Sequence, residues 1–431
     1  MLTGGEHSAT GSAGGDGRGA WRTWLLIGAT GFGGPAGQVA ILHREVVERR
    51  RWLDEEEFLA AMRVCMLLPG PEAQQLATYA GWRMGGIAGG LLSGTLFVLP
   101  GAVLVTALAW AHAAGEHLPL VAAAFAGTRP AVVALVALAA WRIGRKSLTA
   151  VWTVAVAIAA LVALAAGAPF PAVVAVAGVV GWLMPAGPAT ASAPASVGSA
   201  DAPNATSVAP AGLRHAFAVV AVSLAIWLAA FGAVHASGAA GGRGDAIATL
   251  FTETTLLSLG GAYAVVPWAL DESVDRGWLE PDERFDALAM GEATPGPLIL
   301  VVTFIGFLAG WRGAGASPGI MGLEGAGVAT LFAFIPSFAM VFAVAPFVSR
   351  IRAGSRLGRA MTAIGAAVVA AIVLLALALA KAALLTDGTP AALPILVTIA
   401  SAVALLRGWA TTPVVVACAS ATGVAFHWLM G

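Results

Sequence analysis

The run from Ala216 to Val234 carries no charged residue, and apolar runs of similar length recur along most of the chain. About 20 such residues span the hydrocarbon core of a bilayer as a helix, and in lipid the backbone has to satisfy its own hydrogen bonds. With 431 residues of which only 11% are charged, there is too little charge to cover a soluble protein of this size. The expected fold class is an all-α polytopic membrane protein, with the lipid bilayer as its main partner. The balance of 23 basic and 23 acidic residues argues against a nucleic-acid partner. Cys65 and Cys418 lie in apolar runs and read as unpaired. His43, His112, His117, His215, His235 and His427 are scattered among loops and segment ends without metal-ligand spacing. No metal, no cofactor and no catalytic constellation is expected.

Residues 1–20 are Gly-rich and polar and read as a disordered N-terminal tail. Residues 185–212 are rich in Ala, Pro and Ser and hold no Lys, Arg or aromatic residue, which is the composition of a flexible linker. They divide the chain into a first repeat, 21–184, and a second, 213–431. FGGPAG at 32–37 answers LGGAYA at 259–264, RRWLDEEEF at 50–58 answers RGWLEPDERF at 276–285, and LPGPEAQQLATYAG at 68–81 answers TPGPLILVVTFIG at 294–306. LFVLPG at 96–101 answers LFAFIPS at 331–337, and PAVVAL at 130–135 answers AAVVAA at 366–371. The later pairs sit at a larger offset, because GWRGAGASPG at 310–319 is inserted in the second half.

The basic clusters set an orientation. Arg49–Arg51, Arg142 with Arg145 and Lys146, and Arg350, Arg352, Arg356 and Arg359 are expected on the cytoplasmic side. Segment 214–236 adds one crossing between the repeats. It places loop 270–285 outside, whereas its counterpart at 43–57 faces the cytoplasm as an amphipathic surface helix. The two homologous halves are therefore expected in inverted topology, with broken or re-entrant helices at 22–42 with 59–82 and at 246–269 with 285–309.

The breaks carry the candidate chemistry. In MLLPGPEAQQLATYAGW, Pro69 and Pro71 each remove an N–H donor, so a helix stops near Leu68 and a new one starts near Pro71. Glu72 then falls in the first turn, with Gln75 and Tyr79 following on one face. A helix N-terminus at membrane depth presents free amides and a positive dipole end to an anion, and Gln38, Gln74, Gln75, Thr78 and Tyr79 add neutral hydrogen-bond donors. The plainer reading makes the break a packing kink and Glu72 a helix cap. Pro295-Gly296-Pro297 repeats the break, with apolar residues after it. Gly33, Gly34 and Pro35, and their counterparts Gly260 and Gly261 with Tyr263, read either as ligand contacts or as close helix packing. Arg129 lies deep in segment 119–141, before Pro130. It either holds an anion or snorkels to the outer interface. Glu72, in a low-dielectric site, also reads as a proton-coupling carboxylate, since ionised it repels an anion and neutral it admits one.

FGGPAG at 32–37, CMLLPGPEAQQLATYAGW at 65–82, LFVLPG at 96–101 and WRIGRK at 141–146 closely resemble the chromate ion transporter family in its long, two-domain form. The resemblance covers roughly residues 20–180 and 214–430. It implies a multi-pass transporter of the plasma (inner) membrane that exports chromate and confers resistance to it. It also implies roles for Gly33, Gly34, Pro35, Pro69, Gly70, Pro71, Glu72, Gln74 and Gln75. The second half departs from the family's Phe-Gly-Gly-Gly, with Leu259-Gly260-Gly261-Ala262 before Tyr263. Sulfate or another dianion, matching chromate in charge and shape, is the alternative substrate; a non-transporting membrane subunit is the alternative outside transport. A homodimer is a possible assembly.

Overall fold

The computed structural model describes residues 19–115, 118–184, 210–259, 261–315, 317–350, 356–386 and 389–430. The expected tail up to residue 18, the linker from 185 to 209, and Gly260 lie outside the described residues.

Helix α1 (Ala20–Thr30) stops at Gly31 and Phe32. Gly33, at φ +92°, turns the chain into α2 (Gly34–His43), where Pro35 occupies the first turn and its missing N–H interrupts no bond. A π-helical turn, Arg44–Arg49, extends α2, and the chain reverses at Arg51, φ +52°. Segment 43–57 is thus not the single amphipathic helix its charge pattern suggests. The Trp52 amide donates to the Val46 carbonyl at 2.7 Å and folds the basic run back on itself. In α3 (Glu55–Cys65) the Asp54 carboxylate caps the start, accepting from the Glu57 amide at 2.7 Å, and three glutamates fill the first turn at the positive end of the dipole. After the Pro69–Pro71 break come α4 (Glu72–Gly115), non-helical only at Gly85 and Gly86, then α5 (Pro119–Ser147), α6 (Val151–Ala165) and α7 (Phe170–Leu183).

Helix α8 (Pro210–Ser237) stands between the halves. The second half then repeats the order of elements: α9 (Gly244–Leu257), α10 (Val266–Asp275), α11 (Glu283–Ala293), α12 (Val301–Trp311), α13 (Pro318–Val344), α14 (Arg356–Leu384), α15 (Ala392–Leu406) and α16 (Thr412–Met430). α12 and α13 together answer α4, with the inserted turn between them. Among the described residues the only strand pairing is a hairpin of Leu385–Thr386 against Thr389–Pro390. Among the described residues, six helices are long and apolar enough to cross a membrane. The chain is an all-α polytopic membrane protein, and its helices are broken in the motif segments, where proline and left-handed glycine leave no continuous ladder of hydrogen bonds.

The halves exchange helices. α5 packs against α15 and α16, and α14 packs against α6 and α7. Small residues permit the approach: a Cβ on Gly127 would lie 2.7 Å from Gly423 Cα, and one on Gly181 would lie 2.6 Å from Ala363 Cβ. α12 is buried from Val301 to Gly310 and lies closely on α13 at Gly306 and Gly325. Phe97, Phe251, Phe304, Phe307 and Phe332 fill the centre around it. α8 instead leaves most of its apolar surface uncovered, held to the body by Trp227, whose ring meets Phe332 of α13 edge-on and which donates to Thr252 Oγ1 at 2.9 Å.

Two polar contacts mark the ends of the part of α4 that follows the Gly85–Gly86 interruption. Arg83, beside the Gly85–Gly86 interruption, pairs with Glu57 in the first turn of α3. At the far end His112 Nε2 lies 3.0 Å from Glu283 Oε1, in the first turn of α11. At 1.5 Å per residue, helix 87–112 separates the two by about 38 Å, more than the ~30 Å hydrocarbon thickness.

Candidate functional site

The four helix breaks meet crosswise. Gly70, at φ +119°, donates its amide to Ser258 Oγ at 2.8 Å, just before the glycine pair of the second half. Gly296, at φ +99°, donates its amide to the Gly31 carbonyl at 3.1 Å, just before the glycine pair of the first half. Gln38 Nε2 then donates to the Gly296 carbonyl at 2.5 Å and reaches the Gly31 carbonyl at 3.4 Å. The PGP turn of each half is therefore closed by the other half.

The motifs LFVLPG and LFAFIPS complete the same pattern. Ser337, in α13, sits over Gly70, where an added Cβ would lie 3.0 Å from its Oγ. Gly101, at the equivalent place in α4, lies so close to the Pro295 carbonyl that a Cβ there would collide with it.

Polar side chains gather at the first-half break. Ser337 Oγ donates to Gln74 Oε1 at 2.7 Å, and Gln74 Nε2 donates to Thr78 Oγ1 at 2.9 Å. Gln75 Nε2 donates back to the Pro69 carbonyl at 2.6 Å, while Gln75 Oε1 is buried without a hydrogen-bond partner. The amides of Ala73 and Gln74, in the first turn of α4, have no acceptor among the described residues. An anion fits those amides, and a water or a hydroxyl on the ligand satisfies the open Gln75 oxygen.

Glu72 faces the second half: a Cβ on Gly261 would lie 3.1 Å from its Oε2. Tyr263 donates to the Glu292 carboxylate.

The remaining expected residues lie elsewhere. Gly33 is exposed, and a Cβ on Gly34 would meet nothing within 4 Å. Pro35 starts α2, and Pro71, Pro295 and Pro297 are buried in the turns. Tyr79 leaves the break and donates to Glu57 Oε1 at 2.8 Å, beside a cavity of about 500 Å³ lined by Arg63, Arg83 and, from the second half, Pro346 and Val348. Arg129 is inside α5, which starts at Pro119, and its guanidinium lies 2.9 Å from Asp282 and over the ring of Phe285. The structure does not bring Arg129 to the breaks. Ser258, Ser337 and Glu57 were not singled out from the sequence. Ser258 and Ser337 stand inside or beside quoted repeat motifs, which is the one signal that points to them. No cluster of metal-ligating groups occurs among the described residues.

A sequence profile for the family described as chromate transporter matches residues 19–182 and again 246–424. The chain is 32% identical to the chromate transport protein of Pseudomonas aeruginosa, over 73% of this chain and 70% of that one. It is 30% identical to a probable chromate transport protein of Synechococcus elongatus, over 75% and 74%. It is 27% identical to the chromate transport protein of Cupriavidus metallidurans, over 94% and 92%. No solved structure matches.

Proposed function

This chain belongs to the chromate transporter family, and we propose that it exports chromate from the cytoplasm across the plasma membrane and thereby confers resistance. The observation that carries the reading is the crosswise closure of the two PGP turns. It joins unpaired helix-start amides, Gln74, Gln75 and Ser337 into one buried polar region between the halves. A dianion leaving a negative interior gains about 4.6 kcal/mol across 100 mV, at ~2.3 kcal/mol per charge, so export needs no ATPase.

The two repeats, 21–184 and 213–431, are read as inverted. Glu57 and Glu283, in the first turns of α3 and α11, are held at opposite ends of the stretch of α4 from Arg83 to His112, and that separation supports opposite orientations in the bilayer. Glu72 is assigned the coupling role: it faces Gly261 across the boundary between halves, where loss of its charge favours an entering anion.

The test is chromate uptake into inside-out vesicles, with and without excess sulfate, for wild type and Glu72→Gln. Saturable uptake inhibited by sulfate supports a shared dianion site. Loss of proton dependence in Glu72→Gln supports the coupling role. Sealed vesicles holding folded protein but showing no protein-dependent chromate flux overturn the assignment.

A further inference from the structure

The first basic run of the chain is folded into a pocket away from the breaks. A cavity of about 560 Å³ lies between the start of α1 and the reversal after the π-helical turn, lined by Arg22, Thr23, Leu26, Arg49, Arg50 and Trp52. Arg49 Nη1 binds Glu45 at 2.7 Å, and Arg44 and Arg50 lie 3.8 Å and 3.9 Å from the same buried carboxylate. One carboxylate thus faces three guanidiniums, and Arg22 adds a fourth with no acidic partner among the described residues, set over the ring of Trp21. The cavity keeps a net positive charge.

Thr23 gives a second and independent sign. It is 2% exposed, yet its hydroxyl has no hydrogen-bond partner. A buried hydroxyl left open on the wall of a basic cavity is matched by an acceptor that enters it. The backbone is also unusual here. The π-helical turn and the left-handed conformation of Arg51 are both disfavoured for ordinary residues, and together they bring Arg49 and Arg50 against α1. Below the arginines the wall becomes apolar. Trp24 and Trp52 pack with ring centroids 5.3 Å apart, and Leu26 on α1 is 53% exposed. Tryptophan with arginine beside exposed apolar surface is the pattern of a membrane–water interface.

We infer that this pocket binds a tetrahedral oxyanion group at the membrane interface, presented by the phosphodiester headgroup of an anionic lipid or by a free oxyanion. The guanidiniums take the charge, the Thr23 hydroxyl donates to one oxygen, and for a lipid the acyl chains run along α1 past Leu26. The site is separate from the helix breaks, and its existence does not depend on what the breaks transport.

The experiment uses the full chain in nanodiscs of phosphatidylcholine with phosphatidylglycerol, released for native mass spectrometry, for wild type, Arg22→Gln, Thr23→Val and Arg407→Gln. Arg407 also lies over a tryptophan ring, at 5.2 Å from the Trp409 centroid, and serves as the control for loss of one such charge. The expected result is retention of phosphatidylglycerol by wild type and Arg407→Gln, and about fivefold weaker retention by Arg22→Gln, the weight of one arginine at an anionic surface. Thr23→Val, which keeps every charge, is expected to weaken retention too. Lipid that millimolar phosphate or chromate does not displace assigns the site to lipid. Displacement, or a rise in melting temperature with phosphate in detergent that Arg22→Gln lacks, assigns it to a free oxyanion. Equal retention by wild type and all variants, with no effect of phosphate or chromate on melting, overturns the inference.

Discussion

The Gly70 amide and the Ser258 hydroxyl are hydrogen-bonded at 2.8 Å across 188 positions of the chain. Their counterparts in the repeat, Gly296 and Gly31, are bonded at 3.1 Å. A PGP turn exposes an amide that its own half does not satisfy, and the residue two positions before the other half's glycine pair satisfies it. Neither half completes its own break, so a motion of one half against the other changes both breaks together. Coupled change at a central site is what alternating access requires.

Removing the acceptor tests this coupling. Ser258→Ala leaves the buried Gly70 amide unpaired, at a cost of about 1–3 kcal/mol. Gly70→Ala is expected to be worse. Its φ of +119° is strained for any side chain, and the new Cβ would lie 2.6 Å from Gln75 Nε2. Thermal melting in detergent is expected to rank wild type above Ser258→Ala above Gly70→Ala. Ser258→Ala as stable as wild type would mean that the cross-half bond contributes nothing to the fold.

Gln75 separates stability from function. Gln75→Leu removes an oxygen that is buried without a partner, which stabilises, and also removes the donor to the Pro69 carbonyl, which destabilises. The two effects are of similar size, so melting is expected to stay within about 1 kcal/mol of wild type. Chromate flux is expected to fall at least about tenfold, because the variant loses the open Gln75 oxygen that accepts from a water or a hydroxyl on the ligand. Normal flux in the variant would remove Gln75 from the anion site.

The breaks themselves are legible in the sequence because their causes are local. Proline lacks a donor and restricts the residue before it, and glycine alone enters the left-handed region freely, so the stops near Leu68 and Gly31 follow from residue type. Which break meets which is not local. It depends on α5 and α14 crossing between halves, and that crossing rests on small residues such as Gly127 and Gly181, which resemble any other glycine in an apolar run. The cross-half partners of Ser258 and Ser337 are unreadable for a related reason. A serine in a membrane helix ordinarily bonds its own backbone, as Ser258 Oγ also does to the Thr255 carbonyl, and only the fold reveals its second partner. The reversal at Arg51 contradicts the charge pattern around it, since left-handed backbone at an arginine has no signature in composition.

Arg129 illustrates the same limit and can be tested directly. Its depth in an apolar segment suggested an anion holder, but its partner is Asp282, whose side chain is 59% exposed. A half-exposed pair of this kind contributes less than about 1 kcal/mol. Arg129→Gln is therefore expected to melt close to wild type and to keep the chromate KM unchanged in vesicle assays. A tenfold rise in KM would return Arg129 to the substrate path.

Glu283 gives a prediction in pH. Burial pushes its carboxyl up, but hydrogen bonds from His112, from Arg312 at 2.6 Å and 2.7 Å, and from the Glu280 amide at 2.6 Å outweigh this and hold it at about 2, below its ordinary 4.5. A carboxylate whose pKa is lowered on folding stabilises above its unfolded pKa and loses that contribution as pH falls through the folded value. The shift corresponds to about 3 kcal/mol at neutral pH, at ~1.4 kcal/mol per unit. Glu283→Gln is expected to lower the melting temperature at pH 7, and its deficit relative to wild type is expected to shrink between pH 4.5 and pH 2 as the wild-type carboxylate protonates. Because the pair joins the far end of α4 to the first turn of α11, loss of stability here loosens the two halves at one end only. Limited proteolysis in loop 276–283 is expected to accelerate while the Glu57–Arg83 end stays protected. A deficit that is constant over that pH range would assign the loss to packing and remove the carboxylate's charge from the account.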